Sequence, residues 1–240
     1  MRLGNLAKAE EYFEKSIAQD HTLGLHKSEA NGLGNFGNLL IRLGKMDAAY
    51  AAYEKQFFIG QELNNKGVRR DSFSNFGNYY LSRNDYPAAL EYYQQALGLD
   101  AELGDKYGEE VDTCNVGTTL RYLGDLALAV KNHQHALEIA QHIGDLYGEE
   151  NALANLGSDY QALGDYELAR PFFEKHQEIA TRIGDVKGQA DAIRNQASLD
   201  FQTNQIDRAL EQLQSVIQLY RQIGSPEANK IEQILNSLKS

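Results

Sequence analysis

The chain has 240 residues, of which 42% are hydrophobic and 24% charged, as is ordinary for a folded globular protein. Its formal net charge of −11 argues against binding nucleic acid, because such binding needs lysine and arginine to neutralise phosphates. No apolar run approaches the ~18 residues of a membrane-spanning helix, and the first residues lack the apolar core of a signal peptide. The single cysteine, Cys114, excludes a disulfide within the chain. We therefore expect a cytoplasmic protein without membrane or nucleic-acid partners.

An alanine recurs every 40 residues along the chain. Its positions are Ala9, Ala49, Ala89, Ala129, Ala169 and Ala209. The same register places an asparagine at Asn35, Asn75, Asn115, Asn155 and Asn195, and a glycine at Gly37, Gly77, Gly117 and Gly157. A fixed period in this range is typical of stacked supersecondary units. The sequence therefore predicts a solenoid.

The N-terminal segment, residues 1–27, is predicted to be a partial first repeat. Its opening letters, Met1-Arg2-Leu3-Gly4, align with the end of a first helix in later repeats, so the chain begins almost directly with a second helix. The apolar residues of that helix are then expected to be only half covered: Leu6, Ala9, Phe13 and Ile17. Two explanations stay open, a fragment of a longer array or head-to-tail self-association through this uncapped helix.

The repeat unit is clearest at 148–187. Its first half carries one apolar stripe at helical spacing, formed by Leu153, Leu156, Tyr160 and Leu163. Asp165 is predicted to cap a second helix, and Gly184 to end it. The apolar face of the second helix is formed by Tyr166, Ala169, Phe173 and Ile179. Each repeat is therefore expected to be two antiparallel helices, with the recurrent alanine at their close crossing.

Five full repeats are expected along the chain, at 28–67, 68–107, 108–147, 148–187 and 188–225. The last of them is degenerate, because Gln196 and Asp200 stand where the preceding repeat has leucine and tyrosine. A C-terminal capping helix follows at 226–240, opened by Ser225 as N-cap. Its apolar side is predicted to contain Ala228, Ile231, Ile234, Leu235 and Leu238.

These repeats resemble the tetratricopeptide repeat (TPR) family. The family pattern is met by Leu153, Leu156-Gly157, Tyr160 and Ala169-x-x-x-Phe173. The forty-residue period and the Ile/Leu-Gly-Asp ending are similar to a subgroup found in Pins-like cell-polarity scaffolds and in bacterial TPR signalling proteins. The resemblance implies an all-α, right-handed superhelical solenoid that acts as a non-catalytic scaffold for protein partners. The alternative is a sensor or regulatory module cut from a larger bacterial signalling protein.

The resemblance also implies a peptide-binding groove lined by the first helices. In the related scaffolds, asparagines at the recurrent position bind partner peptides, and an asparagine side chain can pair with an extended backbone because it both donates and accepts. We carry this role over to Asn35, Asn75, Asn115, Asn155 and Asn195. Further candidates on the same face are Asn38, Asn78, Thr118, Ser158, Arg121, Tyr122 and Arg194. The competing interpretation is that the asparagines only fix the stacking of repeats.

No catalytic, cofactor or metal site is expected, so the chain is not predicted to be an enzyme. His133 occupies the core position equivalent to Phe173, and His133 and His135 point to different sides of one helix. The remaining histidines are predicted to be scattered near helix ends or outer faces: His21, His26, His142 and His176.

Overall fold

A computed structural model describes the backbone of residues 2–239 and the side chains of residue 6 and residues 8–237. The regular structure in this part of the chain is entirely α-helical, which confirms the predicted all-α class. The helices are α1 (Arg2–Thr22), α2 (His26–Arg42), α3 (Met46–Glu62), α4 (Lys66–Ser82), α5 (Tyr86–Leu103), α6 (Lys106–Leu123), α7 (Leu126–Ile143), α8 (Leu146–Leu163), α9 (Tyr166–Ile183), α10 (Val186–Gln202), α11 (Ile206–Gln222) and α12 (Glu227–Lys239). None of these helices is long and apolar enough to cross a membrane.

The helices fall into two compact units, one ending at Leu123 and one beginning at Gly124. In the first unit consecutive helices pack on each other from α1 through α6, and α2 also packs on α4. In the second unit α7 to α12 pack in the same way, and α8 also packs on α10. Within each unit the first helices of neighbouring repeats therefore share one layer, as a helical-repeat solenoid requires.

Left-handed residues end most helices. The predicted glycines Gly104, Gly144, Gly184 and Gly224 have φ angles of +66°, +74°, +75° and +62°. Asparagine takes the same conformation at Asn64, Asn84 and Asn204, since its short polar side chain tolerates this region better than most.

Asp165 lacks the side-chain capping hydrogen bond that the sequence predicts. The side chain of Asp85 accepts a hydrogen bond from the first turn of α5, and Asp125 does so for α7. Asp165 occupies the N-cap position of α9 but its carboxylate makes no such bond. The reason is local: the backbone N–H of Leu168, which a capping carboxylate would take, donates to the backbone carbonyl of Asp165 at 3.1 Å.

The two helices of a repeat come into closest contact at the recurrent glycine. A Cβ added at Gly77 would lie 2.5 Å from the Tyr93 ring, and one at Gly157 would lie 2.5 Å from the Phe173 ring. The recurrent alanine is fully buried on α3, α5, α7, α9 and α11, at Ala49, Ala89, Ala129, Ala169 and Ala209, whereas Ala9 on α1 is only partly buried. Small residues on both helices thus let each pair pack closely.

Two predicted apolar positions are wrong. Leu163 is 44% exposed because it is the last residue of α8 and extends past the region that α9 covers. Ile234 is 53% exposed because α12 packs chiefly on α11, and only the narrower stripe of Ala228, Ile231 and Leu235 is buried. Leu238 and the Met1–Gly4 side chains lie outside the described residues.

The apolar side of helix α1 is half covered, as predicted. Leu6, Ala9, Phe13 and Ile17 are each intermediate in exposure. The Phe13 ring contacts the Phe36 ring of α2 at a centroid distance of 6.0 Å.

In the degenerate last repeat, the polar residues that replace leucine and tyrosine are buried, and each has a hydrogen-bond or ion-pair partner. Gln196 is 6% exposed and donates to Oε1 of Gln177 at 2.9 Å. Asp200 is fully buried and forms ion pairs with Arg170 at 2.6 Å and Arg208 at 3.3 Å. Both substitutes are therefore compatible with a packed core.

Candidate functional site

A pocket of about 340 Å³ opens on the first unit, between side chains of α2, α3, α4 and α6. We call it the amide pocket because five carboxamide side chains line it, namely Asn31, Asn35, Asn38, Gln56 and Asn75. On α2, Asn31, Asn35 and Asn38 are spaced i, i+4 and i+7, so they share one face of the helix. Residues Ala30, Leu33 and Leu40 of the same helix are buried, which leaves this amide face outward.

Asn75 is held in a hydrogen-bonded network. Its Nδ2 donates to Oε1 of Gln56 on α3 at 2.9 Å, and its Oδ1 accepts from Nδ2 of Asn38 on α2 at 3.4 Å. Gly34 leaves room for this network, because a Cβ there would come 2.7 Å from the Gln56 amide. Asn75 therefore does help to fix the stacking of repeats, as the competing interpretation holds. Its side chain is nevertheless only half-buried.

Asn31 and Asn35 differ from Asn75. Both are exposed, and among the described residues neither side chain has a hydrogen-bond partner. They are therefore available to a ligand beside a third amide that is already fixed in place.

Asn38 and Asn78 each hold a buried tyrosine. The Tyr53 hydroxyl donates to Oδ1 of Asn38 at 2.8 Å, and the Tyr93 hydroxyl donates to Oδ1 of Asn78 at 2.7 Å. Both phenol rings are fully buried, so each hydroxyl needs such an acceptor. The second asparagine of the Asn-x-x-Asn pattern thus has a structural role that sequence reasoning missed.

Ser158 follows the same logic in the second unit. The residue fifteen positions later, on α9, is Phe173, which has no hydroxyl that needs an acceptor. Ser158 instead donates to the backbone carbonyl of Ala154 at 2.8 Å. A serine is sufficient where the buried ring needs no acceptor.

One end of the amide pocket is acidic. Arg70 pairs there with Asp105 at 2.8 Å, Asp71 at 3.2 Å and the buried Asp100 at 3.3 Å. Burial and the neighbouring charge of Asp112 raise the pKa of Asp100 to about 7. Burial also raises the pKa of Asp71. One guanidinium facing several carboxyl groups makes this end unsuited to an anionic ligand.

The remaining predicted site residues of the first unit lie beyond the amide pocket. Asn115 is half-buried and donates to Oδ1 of Asp112 at 3.5 Å. Thr118 and Arg121 are also half-buried. Tyr122 is 54% exposed and stacks on Tyr86, with centroids 5.1 Å apart and planes at 10°.

In the second unit, Asn155 and Asn195 are half-buried. Arg194 is exposed, yet it forms an ion pair with Asp191 on its own helix at 3.2 Å. Burial opposes ionisation of Asp191, but hydrogen bonds from Lys187 and Tyr220 lower its pKa overall. Arg194 therefore already has a carboxylate partner.

The prediction that His176 lies at a helix end or outer face is wrong. His176 is 4% exposed, and its Nε2 lies 3.2 Å from Oε1 of Glu150 in the core of the second unit. Burial lowers the pKa of His176 and, with the charge of Asp185, raises that of Glu150 to about 7. His133 is a buried core histidine, as predicted, with Nδ1 2.5 Å from Asp159. No group of three or more potential metal ligands occurs among the described residues.

Sequence reasoning missed Asn31 and Gln56. A signal for Gln56 exists, because the same register holds Ala96 and Ala136 in the next two repeats. An amide at a position that other repeats fill with a small apolar residue indicates a local polar contact. Asn31 could have been found from its i, i+4 spacing to Asn35.

Consecutive helices packed in pairs within each unit define a helical-repeat protein. The model of the tetratricopeptide repeat family matches residues 28–102 and 148–222, which together exceed half of the chain. The chain belongs to this family, whose members are generally protein-interaction modules. Its assignment to the forty-residue subgroup stays a prediction.

Solved structures share this fold. The chain is similar to BtubC from P. vanneervenii, with 17% identity, a TM-score of 0.79 and coverage of 91% of this chain and 92% of that one. It is also similar to a signal transduction ATPase with a tetratricopeptide repeat sensor from Pyrococcus horikoshii, with 17% identity and a TM-score of 0.72. That likeness covers 98% of this chain and 40% of the other.

A third similar structure is YrrB, described as a TPR protein with an unusual peptide-binding site, at 23% identity and a TM-score of 0.50. The likeness covers 88% of this chain and 93% of that one. A comparison with curated proteins gave no match.

Proposed function

We propose that this chain is a non-catalytic interaction module whose amide pocket binds an extended peptide segment of a protein partner. The observation that carries the proposal is the pair of exposed, unbonded amides at Asn31 and Asn35 beside the fixed Asn75. The family's general role in protein interaction and the peptide-binding site named for YrrB agree with it.

The spacing of the two free amides suits an extended backbone. Four residues of an α-helix rise about 6 Å, so Asn31 and Asn35 present their amides at about that interval. Alternate residues of an extended chain, which point their backbone groups to the same side, repeat at about 6.7 Å. Each asparagine can donate to one peptide carbonyl and accept from one peptide N–H.

The acidic end of the pocket sets the expected charge of the peptide. Asp71 and Asp105 flank one arginine, and the whole chain carries a net charge of −11. Like charges in a partner would be repelled, so we expect the pocket to favour neutral or basic segments over acidic ones.

The proposal is tested by screening a peptide library and measuring the affinity of the best ligand by calorimetry. The double variant Asn31→Ala/Asn35→Ala should weaken binding by about tenfold, the loss of one to two hydrogen bonds. The matched control is Asn229→Ala, an exposed asparagine on α12. A copy of the peptide with N-methylated backbone amides should also bind weakly. Unchanged affinity with the double variant or the N-methylated peptide would exclude backbone recognition by these amides.

A further inference from the structure

A second pocket lies on the layer formed by the other helices of the first unit. Its volume is about 330 Å³, and its walls come from α3, α4 and α5. We call it the aromatic pocket because six rings line it, namely Tyr50, Phe57, Phe58, Phe73, Phe76 and Tyr92. Two polar side chains, Glu54 and Gln95, complete the lining.

The helical register of α3 places these groups together. Tyr50, Glu54 and Phe58 are spaced i, i+4 and i+8, so they follow one face of the helix with Glu54 between the rings. From α4, Phe73 and Phe76 form the adjoining wall, with ring centroids 5.3 Å from Phe57 and Tyr50 respectively. Tyr92 of α5 packs on Phe76 at 5.1 Å, so the rings are continuous.

Repeat packing accounts for Phe76 and the rings that pack against it, but not for Phe58. Phe58 is 57% exposed, and the equivalent positions in later repeats hold Gly98, Glu138 and Glu178. The positions equivalent to Tyr92 in later repeats hold Asn132, Phe172 and Gln212. An exposed phenylalanine at a position that is otherwise small or polar occurs in this repeat alone. Exposed aromatic rings that line a cavity are typical of binding sites.

The aromatic pocket is electronegative. Glu54 is exposed, and none of the described basic side chains forms an ion pair with it. No lysine or arginine lines the cavity. Burial, followed by the charges of Tyr80, Tyr92 and Glu54, raises the pKa of Tyr50 to about 12. Ring faces add further negative potential.

We infer that the aromatic pocket binds an arginine side chain of a partner protein, with the guanidinium stacked on the rings and hydrogen-bonded to Glu54. Arginine fits better than lysine because its planar fork pairs with a carboxylate in two places and stacks on aromatic faces. A neutral aliphatic side chain would leave Glu54 desolvated beside it without a partner. This site is additional to the amide pocket, since no lining residue is shared between the two.

The test uses the purified chain and two blocked tripeptides, acetyl-Gly-Arg-Gly-amide and its citrulline counterpart, which has nearly the same shape but no charge. In a heteronuclear NMR titration, the arginine peptide should shift backbone resonances around Glu54 and Tyr92. The citrulline peptide should bind about tenfold more weakly, as expected from loss of cation–π and charge-assisted contacts. Equal binding of both peptides would overturn the inference.

Variants locate the binding to this cavity. Glu54→Gln and Phe58→Ser alter exposed side chains, so both should fold, and each should weaken the arginine peptide by about fivefold or more. Glu174→Gln is the matched control, because Glu174 holds the same register on α9 while its neighbours Gln177 and Glu178 replace the two phenylalanines. Full affinity in Glu54→Gln, or an equal loss in Glu174→Gln, would contradict an arginine site here. The outcome is independent of Asn31 and Asn35.

Discussion

Gly77 on α4 lies directly against the ring of Tyr93 on α5, so that a Cβ at Gly77 would come 2.5 Å from a ring carbon. Gly37 has the same relationship to Tyr53, and Gly157 to Phe173. The recurrent glycine is therefore a packing requirement of the helix pair, set by a large buried ring on the second helix.

Gly77→Ala should destabilise the protein although alanine favours helices. The methyl group forces the Tyr93 ring or the whole helix to move, and overpacking of this kind costs about 1–3 kcal/mol. Urea denaturation followed by circular dichroism measures the change. Gly98→Ala on α5 is the control, because nothing lies within 4 Å of its added Cβ, and it should stabilise by about 0.5–1 kcal/mol. Equal effects of the two substitutions would show that the ring contact is unimportant.

The Tyr93–Asn78 hydrogen bond should appear as a coupling energy. Tyr93→Phe leaves the Asn78 carbonyl without its donor, and Asn78→Ser removes the acceptor from a buried hydroxyl, so each should cost about 1 kcal/mol. The double variant recreates the Phe173/Ser158 combination found in the second unit and should cost clearly less than the sum. Strict additivity in denaturant unfolding would mean that the bond contributes nothing.

The contribution of Asp100 to stability should fall as the pH rises from about 4 to 7. The pKa of Asp100 is raised to about 7 in the folded protein, against about 3.9 in an unfolded chain, so only the folded state holds this proton in that window. Glu150, with its pKa raised to about 7, acts in the same direction. Asp100→Asn keeps the shape without the titration and should flatten the dependence of Tm on pH. A slope identical to that of the unmodified protein would contradict this account of Asp100.

Pro171→Ala should raise the free energy of unfolding by about 1–3 kcal/mol. Pro171 lies inside α9, where its missing N–H deprives the carbonyl of Glu167 of a hydrogen bond. Pro87 provides the control, since it lies in the first turn of α5, where the N–H has no acceptor within the helix. Pro87→Ala should change stability by less than Pro171→Ala in thermal unfolding. A loss of stability in Pro171→Ala would show that the fold depends on the proline.

The helical-repeat fold could be predicted from the sequence because its signals are periodic. The alanine and glycine registers depend on contacts within one helix pair, which every repeat must make. Gly184 and its equivalents were predictable for the same reason, since each second helix ends in a left-handed turn.

The parts that were not predicted depend on partners from other helices. His176 and Asp200 look like surface residues until Glu150 and Arg170 are seen to meet them in the core. Asn78 looked like a ligand contact because its tyrosine partner lies on the other helix of the pair. The prediction for Ile234 failed for the opposite reason, since a terminal helix that packs chiefly on one neighbour buries less of its surface than its sequence pattern suggests.

The two kinds of amide contact differ in whether they would be kept when helix pairs are exchanged between repeat proteins. The bond from Tyr53 to Asn38 closes inside a single hairpin, whereas the bond from Asn75 to Gln56 joins one hairpin to the next. If the α2/α3 pair were moved into another repeat protein, the bond between Tyr53 and Asn38 would move with it. Gln56, however, would need an asparagine donor on the helix that follows. Engineers who recombine these hairpins should therefore choose Gln56 and Asn75 as a matched junction.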